Sequence, residues 1–227
     1  MQANLVNMLA IFIGCSLGRL AGRFMDKKLE DFLMTAMGLA VLYLGIDMAL
    51  KTQTALVVIL SLVLGGILGT KLDIEDRLYG YGNKLQAKLA KDGGTNFATG
   101  FIGASLLFCI GSMSIVGSLQ AGLEKNYATL YAKAILDGTI SVVLVNTLGP
   151  GVYGSLLTVG LYQGAIVVFS KFIDPLLTPA ALADLTGLGG LLIMAIGINL
   201  LGLKKIKAGD MLPGLLILLV YHIFILA

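Results

Sequence analysis

Apolar runs of roughly span length follow one another along almost the whole 227-residue chain, separated by short polar links. A hydrocarbon core about 30 Å thick takes about 20 apolar residues per helix, so the chain has material for roughly eight spans. In lipid the backbone must satisfy its own hydrogen bonds, so such runs fold as helices. Charged residues are 13% of the sequence, against roughly 25% in soluble domains. Mean hydropathy is +0.93. The chain therefore reads as all-α, a polytopic transmembrane helical bundle, with no room for a separate soluble domain. The net charge of +3 comes from residues between the apolar runs and is no nucleic-acid signal.

The expected spans are 4–20, 32–50, 55–70, 97–123, 129–148, 152–172, 185–203 and 211–226. The first has an uncharged N-terminal flank and is followed by Arg19, Arg23, Lys27 and Lys28. That is the reverse of a secretory signal, so this helix is expected to be retained. Between spans three and four, Ile74, Leu78, Tyr81, Leu85 and Leu89 recur at helical spacing, with Arg77, Lys84, Lys88 and Lys91 at other positions. This is an amphipathic helix, lying either on the membrane surface or against the protein's own loops. The domain reading is a single unit, 1–227: repeat one 1–70, amphipathic segment 71–96, central spans 97–151, repeat two 152–227.

With both termini outside, twelve Lys and Arg residues fall on the cytoplasmic side and four (Lys51, Lys125, Lys133, Lys171) at the opposite side. The positive-inside rule favours that orientation. An internal match relates spans one to three to spans six to eight. Gly38-Leu39 sets against Gly190-Leu191, and the same shift puts Gly45-Ile46-Asp47 on Gly197-Ile198-Asn199. The copies are five spans apart, so they insert with opposite orientation. Inverted repeats of this kind recur in secondary transporters, with the binding site near the midplane. The alternative is two independent helix pairs packed through common small residues.

Polar residues concentrate between the repeats. Lys133, Asp137 and Ser141 follow at i, i+4, i+8 and share one arc of span five. A lone carboxylate near mid-membrane costs several kcal/mol, so Asp137 must pair, be protonated or face water. Lys133 is either its partner or snorkels outward. In span four, Ser105, Cys109 and Ser112 share a face, and Ser112 and Ser114 lie between Gly111 and Gly117. That run either unwinds toward a cavity or stays straight and uses its small residues for packing. Tyr162 and Gln163 sit mid-span in span six. Asp47, Asn199 and Asn146 read as gating or helix-contact residues, Asn7 as similar, and His222 as an interfacial residue. Cys15 and Cys109 read as free thiols. No P-loop, HExxH or CxxC is present. Neither an enzyme, a cofactor nor a metal is expected.

The runs LLFCIGSMSIVGSLQAGL (106–123), AKAILDGTISVV (132–143) and LGPGVYGSLLTVGLYQGAIV (148–167) resemble those of the YdfK/YqgA family of prokaryotic membrane proteins, a domain of unknown function. The N-terminal LVNMLAIFIGCSLG and MGLAVLYLGIDMAL fit the same pattern. Members often carry proline where this chain has Ser112. The resemblance implies the architecture and a shared pattern of Asp137, Gly138, Gln163 and the Gly111–Gly117 run; it implies no substrate.

The functional expectation is a secondary transporter of a small ion or polar metabolite, working by alternating access as a homodimer. Asp137, Lys133, Ser141, Ser112, Ser114, Gln163 and Tyr162 would form the binding site. A channel, or a non-transporting scaffold docking through the basic 71–92 helix, are the alternatives.

Overall fold

The computed structural model describes residues 2–22, 27–77, 80, 97–109, 112–173 and 177–224. Among them the regular structure is helical. The helices are α1 (Gln2–Gly22), α2 (Lys27–Ala49), α3 (Ala55–Lys71), α4 (Phe97–Cys109), α5 (Ser112–Leu123), α6 (Ala128–Thr147), α7 (Ser155–Val168), α8 (Pro179–Leu200) and α9 (Pro213–Phe224). Single 3-10 turns, Pro150–Gly154 and Ala208–Met211, lead into α7 and α9.

Five segments have the length and apolarity to cross a membrane: α1, α2, α6, residues 150–168 and α8. α4 and α5 make a sixth if counted together, their axes differing by 57° across residues 110–111. α3 and residues 208–224 are apolar but shorter. The 17 residues of α3 rise about 26 Å, less than the full hydrocarbon thickness. Of the basic 71–96 segment, 74–77 is helical and Glu75 is buried, while residues 81–96 lie outside those described.

The faces are sorted for lipid. On α1, Leu5, Leu9, Phe12, Ile13 and Leu17 point outward, while Asn4, Asn7, Gly14, Cys15 and Gly18 are buried. Outward apolar and inward small or polar is the sorting expected when the solvent is hydrocarbon and association depends on close packing.

Three helix pairs set the frame. α1 packs on α6 so closely that a Cβ on Gly14 would come within 2.1 Å of the Gly138 carbonyl oxygen. α3 packs on α9, where a Cβ on Gly65 would meet the Gly214 backbone nitrogen at 2.2 Å. α2 runs antiparallel to α8, with Gly38 against Leu201, Leu42 against Gly197, Gly45 against Met194 and Ala49 against Gly190. Each α8 position in that interface stands 152 residues after an α2 position in it. α8 is the most enclosed of the candidate spans, 67% buried. It starts at Pro179, capped by the Thr178 hydroxyl, which accepts from the Ala181 amide at 3.1 Å. It ends in a Schellman turn: Gly202 has φ +69°, its amide donates to Asn199 O and the Leu203 amide to Ile198 O.

The bundle has a basic end, holding residues 71–77 and 204–211, and an opposite end, holding the α2–α3 turn at 50–54 and the starts of α1, α6 and α8. The α4 N-terminus lies at the basic end, where a Cβ on Gly151 would clash with Phe97 O at 1.7 Å. The α5 C-terminus lies at the opposite end, with Gly122 against Ser170. The α4–α5 pair thus runs the length of the bundle instead of turning back.

Candidate functional site

Helical periodicity on α6 turns Leu130, Lys133, Ala134, Asp137, Gly138, Ser141, Leu144 and Val145 inward. Lys133 and Asp137 are buried, at 6% and 5% exposure, and the lysine is the acid's partner. Its Nζ donates to Oδ1 at 2.8 Å and to Oδ2 at 2.7 Å. The ammonium also sits 5.9 Å from the Phe108 ring centroid, a favourable cation–π approach. One turn on, the Ser141 hydroxyl donates to the Asp137 backbone oxygen at 2.7 Å, so it steadies the helix and not the carboxylate.

Three other helices bring polar groups to this pair. Asn7 on α1 donates through Nδ2 to Asp137 Oδ2 at 3.0 Å and to Gln163 Oε1 at 3.3 Å. Gln163 on α7 donates through Nε2 to the Ser114 hydroxyl of α5 at 3.1 Å. The close α1–α6 packing at Gly14 and Gly138 makes the first of these contacts possible. The network lies beside the α4–α5 bend, where the chain leaves α4 at Cys109 and enters α5 at Ser112. Asn7 Oδ1, Asn4 Oδ1 and Ser118 Oγ are buried with no hydrogen-bond partner among the described residues. Asn7 was thus more than the helix contact its sequence position suggested.

Two cavities approach the network from different ends. One, about 200 Å³, is lined by Lys51, Met48, Phe108, Ser114, Lys133 and Asp137 among others, and lies toward the opposite end. The second, about 190 Å³, is lined at the basic end by Met34, Glu75, Thr147, Asn199 and Ile206 among others. Between their linings stand Met37 and Val41 on α2, Leu106 on α4 and Leu144 on α6. Val41, Leu106 and Leu144 are buried. Met37 and Leu107 each pack against both apolar clusters that occupy this level.

The remaining residues singled out from sequence lie elsewhere. Tyr162 faces a third, apolar cavity of about 560 Å³ between α5, α7, α8 and α9. Asn146 donates to Gly18 O at 2.9 Å, tying α6 to α1. Asp47 is on the exposed side of α2, paired with Lys51 at 2.8 Å. Asn199 lines the basic-end cavity and clamps Ile206, donating to its carbonyl at 2.8 Å and accepting from its amide at 2.7 Å. Ser112 begins α5. Ser105 bonds Thr158 at 2.7 Å, joining α4 to α7.

A second buried acid went unnoticed in the sequence. Asp184 on α8 accepts from the Gln53 amide at 2.7 Å, the Thr54 amide at 2.9 Å and the Thr54 hydroxyl. His222 on α9 completes the set, its Nε2 3.0 Å from Asp184 Oδ2. His222 is 3% exposed, so the interfacial placement expected for it is corrected: it is packed inward onto α8. At the basic end Glu75 and Asp210 are buried in a reciprocal clasp. The Glu75 amide donates to Asp210 Oδ1 and the Gly209 amide to Glu75 Oε2, each at 2.8 Å. Burial pushes the Glu75 carboxyl above the usual carboxylate range, and the Gly209 N–H works against that shift. Among the described residues no group of three or more metal-ligating side chains forms.

Comparison with known proteins gives a family and no chemistry. The chain is 35% identical over 221 residues to the uncharacterized membrane protein YdfK of Bacillus subtilis (strain 168), covering 96% of this chain and 93% of the relative. It is 26% identical over 216 residues to the uncharacterized protein YqgA of Escherichia coli (strain K12), covering 93% and 92%. No solved structure matches it. Residues 2–223 match the family described as "Protein of unknown function (DUF554)", and the chain belongs to that family of helical membrane proteins.

Proposed function

We propose that the protein is a secondary transporter of a small ion or polar metabolite, working by alternating access around the Lys133–Asp137 pair. One observation carries the reading: two cavities lie toward opposite ends of the bundle with an apolar layer between their linings, and one is lined by a buried ion pair. Intramembrane ionisable residues that line a wet cavity mark substrate or proton paths. The bend between α4 and α5 beside Ser114 supplies a broken element of the type that transporters use at such sites. In the α2–α8 interface each of the four α2 positions has a counterpart 152 residues later in the same interface, which supports an inverted-repeat relation between spans one to three and six to eight. Eight crossings, with both termini outside the cytoplasmic membrane, belong to the same reading. So does a homodimer, for which mass photometry in detergent is the check. The apolar layer of Met37, Val41, Leu106 and Leu144 favours a carrier over a continuous pore.

Access from both sides tests it. Met48→Cys and Asn199→Cys are labelled with a membrane-impermeant thiol reagent in oriented vesicles. The two background thiols, Cys15 and Cys109, are buried. The expected result is that Met48→Cys reacts from one side and Asn199→Cys from the other, with reactivities that move in opposite senses when a transported solute is added. Labelling of both positions from one side would sink the reading.

A further inference from the structure

The geometry points to a small carboxylate as the ligand of the Lys133–Asp137 cavity, bound together with one proton taken up by Asp137. This rests on the transporter reading for its purpose and on the donor set of the cavity for its chemistry.

Among the residues lining the cavity, the hydrogen-bonding capacity left over is donor capacity. An ammonium has three N–H groups and no acceptor. Those of Lys133 reach two oxygens of one carboxylate, and no other acceptor meets the lysine among the described residues. The Ser114 hydroxyl accepts from Gln163, so its own proton is left without an acceptor among the described residues. Asp137, the only acid in the lining, has both oxygens engaged, by Lys133 and Asn7. Lys51 stands at the mouth, paired with Asp47. The rest of the lining (Leu44, Leu107, Phe108, Met113, Leu136, Ile140) is apolar. A ligand that offers two acceptor oxygens and a short apolar tail matches both halves. The volume of about 200 Å³ exceeds a cavity of about 150 Å³ that takes benzene, so six to nine heavy atoms is about the limit.

Charge decides the proton. The ion pair is neutral. Adding an anion alone leaves one net negative charge mid-membrane, which is costly. Protonating Asp137 restores neutrality: a hydronium ion in the cavity gives its proton to a carboxylate oxygen, Lys133 keeps its own and turns to the ligand carboxylate, and water is left behind. Loaded and unloaded sites then carry the same charge. The protonated Asp137 hydroxyl needs an acceptor. Asn7 Oδ1, on the amide already bonded to Asp137, has no donor among the described residues, and rotating that amide presents it. The other titratable groups near the pair are Cys109 on α4 and Lys51 on α2, with Tyr162 of α7 beyond Cys109 and Cys15 of α1 behind Ser141. Ordinary thiols, phenols and amines titrate above about pH 8, so none of them supplies a proton-linked change in the acid range.

The test uses purified full-length protein in detergent. Thermal unfolding is followed against propionate and benzoate, with ethylammonium and benzylammonium as cationic counterparts, from pH 5 to 8. The carboxylates are expected to raise the unfolding temperature saturably, with a half-saturating concentration rising about ten-fold per pH unit above the Asp137 protonation step, as one linked proton requires. The ammonium probes are expected to do nothing. Asp137→Asn is expected to bind carboxylate with little pH dependence, Ser114→Ala more weakly than wild type, and Lys133→Met not at all. The wild-type probe comparison stands even if a variant fails to fold. Stabilisation by the ammonium probes, carboxylate binding without pH dependence, or no stabilisation by carboxylates would each overturn the proposal. Thiol labelling separates this from the transport reading: one-sided labelling with carboxylate binding intact sinks transport and leaves the ligand class, while two-sided labelling with ammonium binding does the reverse.

Discussion

Two buried carboxylates paired with a base lie in this bundle, and they are built differently. Asp184 is fully enclosed, and four donors from two elements close on it: the Gln53 and Thr54 amides and the Thr54 hydroxyl of the α2–α3 turn, and His222 of α9. It fastens the turn that opens α3 onto α8 and α9, and none of the three cavities touches it. Asp137 is nearly as buried, but its pair floors a cavity and leaves donors over. Its carboxylate takes its donors from two side chains, the Lys133 ammonium and the Asn7 amide, and none from backbone. Burial of a charge is common to both, so burial alone does not mark a pathway. Saturation does separate them: a saturated carboxylate holds parts together, and a pair with spare donors beside a cavity can take a ligand.

Substitutions sharpen that contrast, in decreasing order of effect on stability. Asp184→Ala leaves two backbone amides, a hydroxyl and His222 without their acceptor. Breaking a buried pair costs about 3–5 kcal/mol, so the expected outcome is a large fall in folded yield and unfolding temperature in detergent. An unfolding temperature close to wild type would erase the distinction. Gly14→Ala places a methyl against the Gly138 carbonyl, and overpacking of this kind costs about 1–3 kcal/mol. By moving α1 off α6 it also carries Asn7 away from Asp137. The expected outcome is a moderate loss of stability together with weakened ligand stabilisation, read by thermal shift.

The double change Lys133→Met with Asp137→Asn removes both charges from the cavity. Replacing a buried ion pair by uncharged groups is often near neutral, so unfolding should stay within about 1–2 kcal/mol of wild type while solute flux into proteoliposomes is lost. A large loss of stability would make the pair as structural as Asp184. Glu75→Gln should have the smallest effect. A carboxyl raised above its unfolded value favours the protonated folded state. Wild-type stability from this group therefore falls as pH rises from the ordinary carboxylate value through the raised one, then levels. The variant keeps an acceptor for Gly209 and loses that slope, which unfolding curves from pH 4 to 7 will show.

Legibility varied with the range of the interaction. The i, i+4 spacing of Lys133 and Asp137 is visible within one helix, and their pairing follows from it. The glycines of α2 and α8 were visible as a repeated pattern, and all four lie in the interface between the two helices, where Gly45 meets Gly190. Asn7, Gln163 and Ser114 were visible as polar residues in apolar runs, but not as one network. Asn7 reaches Asp137 across 130 positions and Gln163 across 156, separations without a periodic signal. Asp184 was missed because it sits one turn into an apolar helix and resembles a capping acid. His222 was misplaced because nothing in its neighbourhood announces a partner 38 residues earlier. The one available clue was chemical: a buried histidine needs a partner, and Asp184 is an acid inside the other helix that ends at the same face.

Sequence by itself determined the solvent of this protein, and with it the helical backbone, because hydrocarbon leaves no other way to satisfy the peptide groups. It also determined which helix carries the central charge. Only the tertiary structure decided which polar residues meet, where two cavities stop against one apolar layer, and which buried acid is saturated and which is not. Those outcomes depend on interhelical approaches of a few ångströms, set by glycines such as Gly14, Gly65 and Gly190 against backbone on another helix. Their geometry is a property of packed pairs, and no single run of the chain contains it.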